Sequence, residues 1–390
     1  MPPAEPVLIC ALSARALAQS ARVAGFAPIA LDAFADLDMR EAAAAWRRVP
    51  VDRHWRLRRR PLLVAAAELA PPPIPLVWGS GFERLPGVLA ELAAGRELWG
   101  NDAATVRRVK DPRELALAAA RLGIAHPEIS LERPRDRRLW LRKRAGGAGG
   151  GHVRAAAGRD PCGRGWYWQR RAPGRPVSAL VVGARGVARV LGCSEQWSAR
   201  LPGRRFRFAG AAAPARLPAG AQAYLEATAA RLVEHFGLVG LCSVDALVAD
   251  EAVSVLEVNP RPGAALDASA GALGLDLFAV HVAACRGGGL AEVPRPLGAA
   301  GSEIVYAERA TQVPAGFVWP EWAADRSPPG TRIARHGPIC TVRAEASDPA
   351  AVRGLLASRA GDIRDLLDDS RPATARLSTR PGATFLPAGR

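Results

Sequence analysis

The sequence predicts a protein of mixed α/β and α+β class: an N-terminal parallel α/β domain, a larger α+β domain and a small C-terminal unit. Three observations carry this reading. Short apolar runs alternate with helical stretches over the first hundred residues, the pattern of a parallel sheet with crossover helices. A strand-rich stretch then lies between two helical ones, and a Gly/Pro-rich linker precedes a last group of strands. Finally, 390 residues with 49% apolar content can fill two or three cores at about 150 residues per domain. The boundaries fall at 1–98, 99–286 and 287–370, and the tail 371–390, rich in Arg, Pro, Thr and Gly, reads as disordered.

Taken in order, Val7-Leu8-Ile9-Cys10-Ala11-Leu12 is a buried strand, followed by a helix over Ala14 to Ala24 that Gly25 stops. Pro28 to Asp32 is the next strand and ends in a carboxylate. Leu62-Leu63-Val64 and Pro75 to Gly81 continue the alternation. No G-x-G-x-x-G follows the first strand, so a dinucleotide fingerprint is absent. Near Trp99 the texture changes: Asn101 or Asp102 can cap a helix toward Val109, and Asp111-Pro112 opens another with Pro in its first turn. Leu115, Ala118, Ala119 and Leu122 give that helix one apolar face. Strands fill Arg138 to Gln196, and Leu225, Ala229, Leu232, Val233 and Phe236 mark a helix over Ala221 to Phe236. Strands over Leu241 to Val248 and Val253 to Val258 follow. Beyond the linker Cys285 to Pro296, strands at Glu303 to Ala307 and Pro338 to Val342 precede a helix from Pro349 to Leu367.

Composition narrows the function classes. No apolar run reaches the roughly 18 residues of a membrane helix, and the N-terminus has no basic n-region or cleavage site; a cytoplasmic protein with no membrane partner is expected. The formal charge is +16, from 53 basic against 37 acidic residues, yet only Lys110 and Lys143 are lysine, and only Asn101 and Asn259 are asparagine. Abundant Ala, Gly, Arg and Pro indicate a GC-rich coding bias, which makes each remaining Lys or Asn a candidate for necessity. It also discounts the basic runs Arg53 to Arg60 and Arg133 to Arg144: without a motif or stacking aromatics they read as a solvated surface that can attract anions, not as a nucleic-acid footprint. The six cysteines show no C-x-x-C or zinc spacing and read as buried reduced thiols.

Two stretches carry chemistry. In Cys242 to Pro262, two β runs flank a polar turn at Asp250-Glu251, and folding there brings Asp245 opposite Leu256 or Glu257. Glu257 and Asn259 share a strand face, and Asp245 joins them across the ladder. Two carboxylates and an amide on an apolar hairpin are costly unless they bind something. Hard oxygens suit Mg²⁺ shared with substrate phosphates, with Mn²⁺ the alternative, and Arg261 extends the same edge toward a phosphate. The second stretch is a strand, Arg138 to Arg144, that enters the loop Ala145-Gly146-Gly147-Ala148-Gly149-Gly150-Gly151-His152. Glycines let backbone N–H groups approach phosphate oxygens, and Lys143 supplies a point charge. It is not a P-loop, because His152 stands where Lys would follow.

Together, the lysine-plus-glycine loop and the D…E-x-N-x-R hairpin resemble the ATP-grasp superfamily over residues 1 to 285. The resemblance implies a Rossmann-like pre-ATP-grasp domain, then a two-lobed ATP-grasp domain with ATP between the lobes. It implies that Lys110 and Lys143 contact the nucleotide and that Gly146, Gly147, Gly149 and Gly150 close over its phosphates. Asp245, Glu257 and Asn259 would hold Mg²⁺, and Arg261 with Lys143 would stabilise the reacting groups. Tyr167-Trp168-Gln169-Arg170-Arg171 looks like the inter-lobe strand that reads adenine, with Gln169 at a usual Gln/Glu position. One departure stands out: Gly174-Arg175 lacks the Glu that many relatives carry after this strand. Ile304 to Ala307, Pro328 to Thr331 and Gly337 to Val342 further resemble carboxylase-related ATP-grasp carboxylate–amine ligases of the tyramine–glutamate ligase-like subgroup. That implies amide formation from small-molecule carboxylate and amine substrates, a place in methanofuran/tetrahydromethanopterin-type coenzyme biosynthesis, and a homodimer. With two lysines the chain has no Ala-Met-Lys-Met biotin motif, and a biotin carboxylase is expected to be longer. Gln196, Trp197, Arg189 and His152 are substrate-contact candidates. The alternatives are a nucleotide-binding ATP-grasp protein that does not ligate, and a basic nucleic-acid-binding protein.

Overall fold

The computed structural model describes residues 3–155, 163, 165–199, 201–290 and 292–369; the expected disordered tail lies outside them. In the N-terminal domain, strands β1 (Pro6–Cys10), β2 (Ala27–Asp32), β3 (Ala45–Arg48), β4 (Leu76–Trp78) and β5 (Leu98–Trp99) alternate with helices α1 (Arg15–Val23), α2 (Leu37–Ala42), α3 (Arg59–Leu69) and α4 (Pro86–Ala93). The strands form one parallel sheet in the order β3-β2-β1-β4-β5. β1 reads as an unbroken apolar run because both faces are covered: Val7 and Ile9 enter one core, and Leu8 and Cys10 enter the other. The strand order reverses between β1 and β4, and in open α/β sheets the crevice at such a switch point receives ligands.

Two capped helices lead out of this domain. The Asp102 carboxylate accepts from Thr105 N at 2.8 Å to start α5 (Ala103–Val109), and Asp111 accepts from Arg113 N at 2.9 Å to start α6 (Pro112–Arg121). The first lobe is the antiparallel sheet β6-β9-β7-β8, made of β6 (Ile129–Ser130), β7 (Trp140–Arg144), β8 (Arg154–Ala155) and β9 (Trp166–Arg170). The second lobe is built on β10 (Arg175–Ala184), β11 (Val187–Ser198), β12 (Phe208–Ala213), α7 (Ala219–Phe236), β13 (Gly240–Ala249), β14 (Ala252–Asn259), α8 (Leu266–Leu273) and α9 (Leu277–Cys285). Helix α7 buries Leu225, Ala229, Leu232, Val233 and Phe236, the stripe read from the sequence, and stops at Gly237 with φ +65°.

The last part of the chain, expected as a small unit from residue 287, continues the sheet of the second lobe. It comprises β15 (Ala299–Tyr306), β16 (Thr311–Gln312), β17 (Ala323–Ala324), β18 (Arg332–Ile333), β19 (Pro338–Ala346) and α10 (Pro349–Asp369). β15 pairs with β12 from Gly210↔Glu303 to Ala213↔Ala300, so one eight-stranded sheet, β14-β13-β10-β11-β12-β15-β19-β17, crosses the linker. The linker is a real break in the chain, but the edge of β12 is a hydrogen-bonding template that the following strands complete. Helix α10 covers this end through Val352, Leu356, Ala360, Ile363 and Leu367. Among the described residues no single helix is long and apolar enough to cross a membrane.

Candidate active site

The hairpin β13–β14 places its polar residues by register alone. Asp245 lies opposite Glu257 and Ser243 opposite Asn259, with a bulge between Asp245 and Ala246. Val244, Ala246, Val255 and Val258 take the other face and bury in the core under α7. The turn holds Asp250 at φ +52°, a conformation Asp tolerates better than most residues. Neighbouring β10 contributes Ser178, paired with Asp245, whose hydroxyl donates to Asp245 Oδ1 at 2.6 Å. Asn259 Nδ2 donates to Asp245 Oδ2 at 3.0 Å and to Ser243 Oγ at 3.3 Å, leaving its carbonyl oxygen facing the crevice.

Both lysines of the chain converge on this hairpin. Lys110, just after α5, donates to Asn259 Oδ1 at 2.6 Å and lies 3.8 Å from Glu257 Oε2, with a side chain only 7% exposed; it is not a solvated helix-end lysine. Lys143, in β7, is buried and donates to Gln169 Oε1 at 2.8 Å. Alternation explains why it alone is lysine among its neighbours: the Arg142 and Arg144 guanidinia both turn to the Trp166 ring, at 3.9 and 5.4 Å, while Lys143 faces inward. Gln169 is itself buried on β9 and also meets His126 Nε2 at 3.3 Å. Its side chain thus holds Lys143.

The electrostatics follow from these positions. Burial and the facing Glu257 carboxylate push Asp245 up to about 6, with Ser178 and Lys110 opposing. Burial alone would raise Glu257 as well, but Lys110, Lys143 and His152 draw it down to about 2. Burial lowers Lys143, partly offset by Glu257 and Asp245. Two carboxylates face to face repel unless a proton or cation lies between them. Lys110 already seats its ammonium against the oxygens of Glu257 and Asn259, so the donor set draws positive charge and fits a hard cation. Among the described residues no group of three or more His, Cys, Asp or Glu forms a metal site, so a divalent ion held here would need further oxygens from elsewhere.

The glycine loop packs against Glu83 and the Phe206–Phe208 segment. Gly147 N donates to Arg144 O at 3.0 Å, and Phe208 N to Gly149 O at 3.0 Å. A Cβ at Gly150 would stand 1.7 Å from Phe206 O, and one at Gly146 2.6 Å from Glu83 O, both at positive φ; only glycine allows both approaches.

The structure revises the surroundings of Arg261. Instead of extending freely along the hairpin edge toward a phosphate, its guanidinium is buried and paired with Glu83, Nε and Nη2 lying 2.8 and 2.7 Å from Oε1, while Nη1 donates to Pro262 O. Glu83 follows β4 at the switch-point edge of the parallel sheet, and its other oxygen accepts from Gly81 N at 2.8 Å. Burial opposes ionisation of Glu83, but Arg261 and Lys110 hold its carboxyl below the usual range. Sequence reasoning missed Glu83, Ser178 and Ser243. The site gains no acid after Gly174: Arg175 turns to Glu195 and the Arg216 carbonyl. The residues Gln196, Trp197 and Arg189 lie on β11, where Trp197 packs into the C-terminal core and Arg189 donates to Leu290 O.

Two buried lysines, a glycine loop and a carboxylate–amide triad thus lie together between the two lobes. Residues 110–265 match the family model of the ATP-grasp domain. No curated protein sequence matches it. Solved structures share its fold: the biotin carboxylase–β,γ-ATP complex from Campylobacter jejuni (TM-score 0.69, 15% identity, covering 89% of each chain) and the biotin carboxylase domain dimer of Hydrogenobacter thermophilus 2-oxoglutarate carboxylase with MgADP, ADP and bicarbonate (TM-score 0.70, 14% identity, 87% of this chain and 86% of that one). Pyruvate carboxylase from Rhizobium etli aligns over 91% of this chain but 39% of its own (TM-score 0.72, 17% identity). The fold is that of biotin carboxylase. The near-equal coverage with the Campylobacter chain means that length does not set the two apart, contrary to the expectation from the sequence.

Proposed function

We propose that the protein is an ATP-dependent carboxylate–amine ligase that forms an amide through an acyl phosphate and releases ADP and phosphate. The observation that carries this reading is the convergence of Lys110, Lys143, Asp245, Glu257 and Asn259 on one buried crevice. Asp245, Glu257 and the Asn259 carbonyl would hold Mg²⁺, which when bound spreads the charge of the phosphoryl oxygens. A substrate carboxylate oxygen attacks the γ-phosphorus and ADP leaves; an amine nitrogen then attacks the acyl carbon, phosphate departs, and the nitrogen gives up its proton. Lys143 and Lys110 neutralise charge that builds on the phosphoryl oxygens. The closed glycine loop keeps water from the acyl phosphate. No side-chain nucleophile is needed, and the buried thiols Cys10, Cys193 and Cys242, all pushed up by burial, are poor ones.

The amine acceptor sets this reading apart from carboxylation, and the coenzyme pathway, a homodimer and a cytoplasmic location belong to the same proposal. A nucleotide-binding protein that does not ligate is the second reading, favoured by Arg175 standing after Gly174 in place of a Glu and turning to Glu195. The test is ADP release with panels of carboxylates and amines. Release that requires both substrates supports ligation; release with bicarbonate and no amine supports carboxylation. Nucleotide binding without release supports the second reading, and no response to Mg-ATP in binding or turnover refutes both.

A further inference from the structure

His152 is the only side chain longer than a methyl group between Ala145 and Val153, and it does not point outward. Its ring lies so close against Gly147 that a Cβ there would stand 2.3 Å from the imidazole Cγ. The position is fixed by the loop itself, since Val153 N donates to Gly150 O at 3.0 Å and closes the turn that carries His152. Nδ1 is buried and has no hydrogen-bond partner among the described residues. The groups whose charge and polarity act on the ring are Glu257, Lys143, Lys110 and the Ala148 backbone, so the imidazole shares the crevice of the hairpin and the two lysines. Burial, with Lys143 and Lys110, lowers the ring to about 4, against the pull of Glu257; the ring is neutral, and the same lysine field repels cations and draws anions.

A buried ring nitrogen without a partner is costly, and a satisfied one in this field calls for an anionic oxygen. We propose that His152, in the tautomer that carries its one ring proton on Nδ1, donates a hydrogen bond from Nδ1 to the phosphate chain of a nucleotide held between Lys143 and Glu257, making it the one side chain through which the glycine loop senses phosphate. The assignment rests on the nucleotide reading of the site. It adds to the loop's backbone a donor that follows the loop: when the loop opens, the hydrogen bond is lost with it, so phosphate occupancy and closure reinforce each other.

The test is a ladder of dissociation constants for adenosine, AMP, ADP and ATP with Mg²⁺, measured by titration calorimetry on wild type, His152→Ala, His152→Asn and His152→Gln. The Asn amide nitrogen falls near the place of Nδ1, whereas that of Gln falls near Nε2. The expected result is a loss of about tenfold or more for ADP and ATP in His152→Ala, as for a charge-assisted hydrogen bond, with adenosine unchanged. His152→Asn should recover most of the loss and His152→Gln little of it. Unchanged ATP affinity in His152→Ala, an equal loss for adenosine, or recovery by Gln in place of Asn overturns the proposal while leaving the nucleotide site intact. Wild type that binds none of the four overturns the site reading itself.

Discussion

Asn101 follows β5 and is 2% exposed, yet every polar atom of its amide is used. Nδ2 donates to Val239 O at 3.0 Å and to Pro260 O at 2.9 Å, while Oδ1 accepts from Val239 N at 2.9 Å. One side chain of the N-terminal domain thus ties the entry of β13 to the exit of β14, the two ends of the hairpin that carries Asp245, Glu257 and Asn259. Asn101→Ala removes three hydrogen bonds and strands a buried N–H and two buried carbonyls. At about 1 kcal/mol net per bond, with unsatisfied groups at the upper end, the loss is roughly 3–5 kcal/mol. Asn101→Asp is the sharper variant: it preserves shape and the acceptor for Val239 N, but turns the two donor hydrogens into an oxygen facing two carbonyls, so it should cost at least as much. Urea titration followed by tryptophan fluorescence measures both, Trp99 lying two residues away. A loss below about 1 kcal/mol in Asn101→Ala, with an unchanged m-value, would refute the reasoning. So would an Asp variant more stable than the Ala variant.

Three further outcomes are expected. Arg15 is 3% exposed and grips both Asp267 oxygens at 2.7 and 2.6 Å and Asp325 at 3.1 Å; Arg15→Met should cost about 2–4 kcal/mol in urea unfolding, because it leaves two half-buried carboxylates without their cation. For Glu83→Gln, Arg261→Met and the double variant, each single change should destabilise strongly and the double by clearly less than their sum; strict additivity would dismiss the buried pair. His281 accepts from Leu241 N through Nδ1 at 2.9 Å and meets Trp99 O through Nε2, and burial lowers it from 6.5 to about 4. Its folded pKa lies below the unfolded value, so its share of stability is intact above pH 6.5 and lost as pH falls toward 4, by about 3 kcal/mol in all. The stability gap between wild type and His281→Asn should close over that window, and a gap independent of pH would contradict the neutral, hydrogen-bonded ring.

How far the sequence could be read depended on how local each feature is. The hairpin was legible because a turn and a period of two suffice to set Asp245 beside Glu257 and Asn259, and the structure realises that register. The scarcity of Lys and Asn worked as a guide: Lys110, Lys143 and Asn259 meet at the site, and Asn101 anchors the hairpin that forms it. Glu83 was not legible. It pairs with Arg261 across 178 positions, and nothing local distinguishes it from other acids of a helix-leading turn. The continuation of the sheet into β15 and β19 was hidden for a similar reason, since a Gly/Pro-rich break in the chain does not reveal whether the next strand meets an open edge.

These non-local contacts explain why the site stands where it does. Three residues that follow strands of the parallel sheet reach the second lobe: Arg15 at the start of α1 grips Asp267 on α8, Glu83 after β4 grips Arg261, and Asn101 after β5 grips Val239 and Pro260. The hairpin exit from Asn259 to Asp267 is therefore held from outside its own lobe. The glycine loop, in contrast, is held across the crevice chiefly by its approaches to Glu83 and to Phe206–Phe208, and it buries little apolar surface. Segments with few buried contacts open at low cost, whereas those bound into several hydrogen bonds and ion pairs do not. The carboxylates and Asn259 thus form a fixed floor, and the loop with His152 is the part free to admit a ligand. On the proposed nucleotide reading, a phosphate chain would satisfy the loop's backbone and His152 together, so the ligand that fills the floor would also supply the contacts that close the lid.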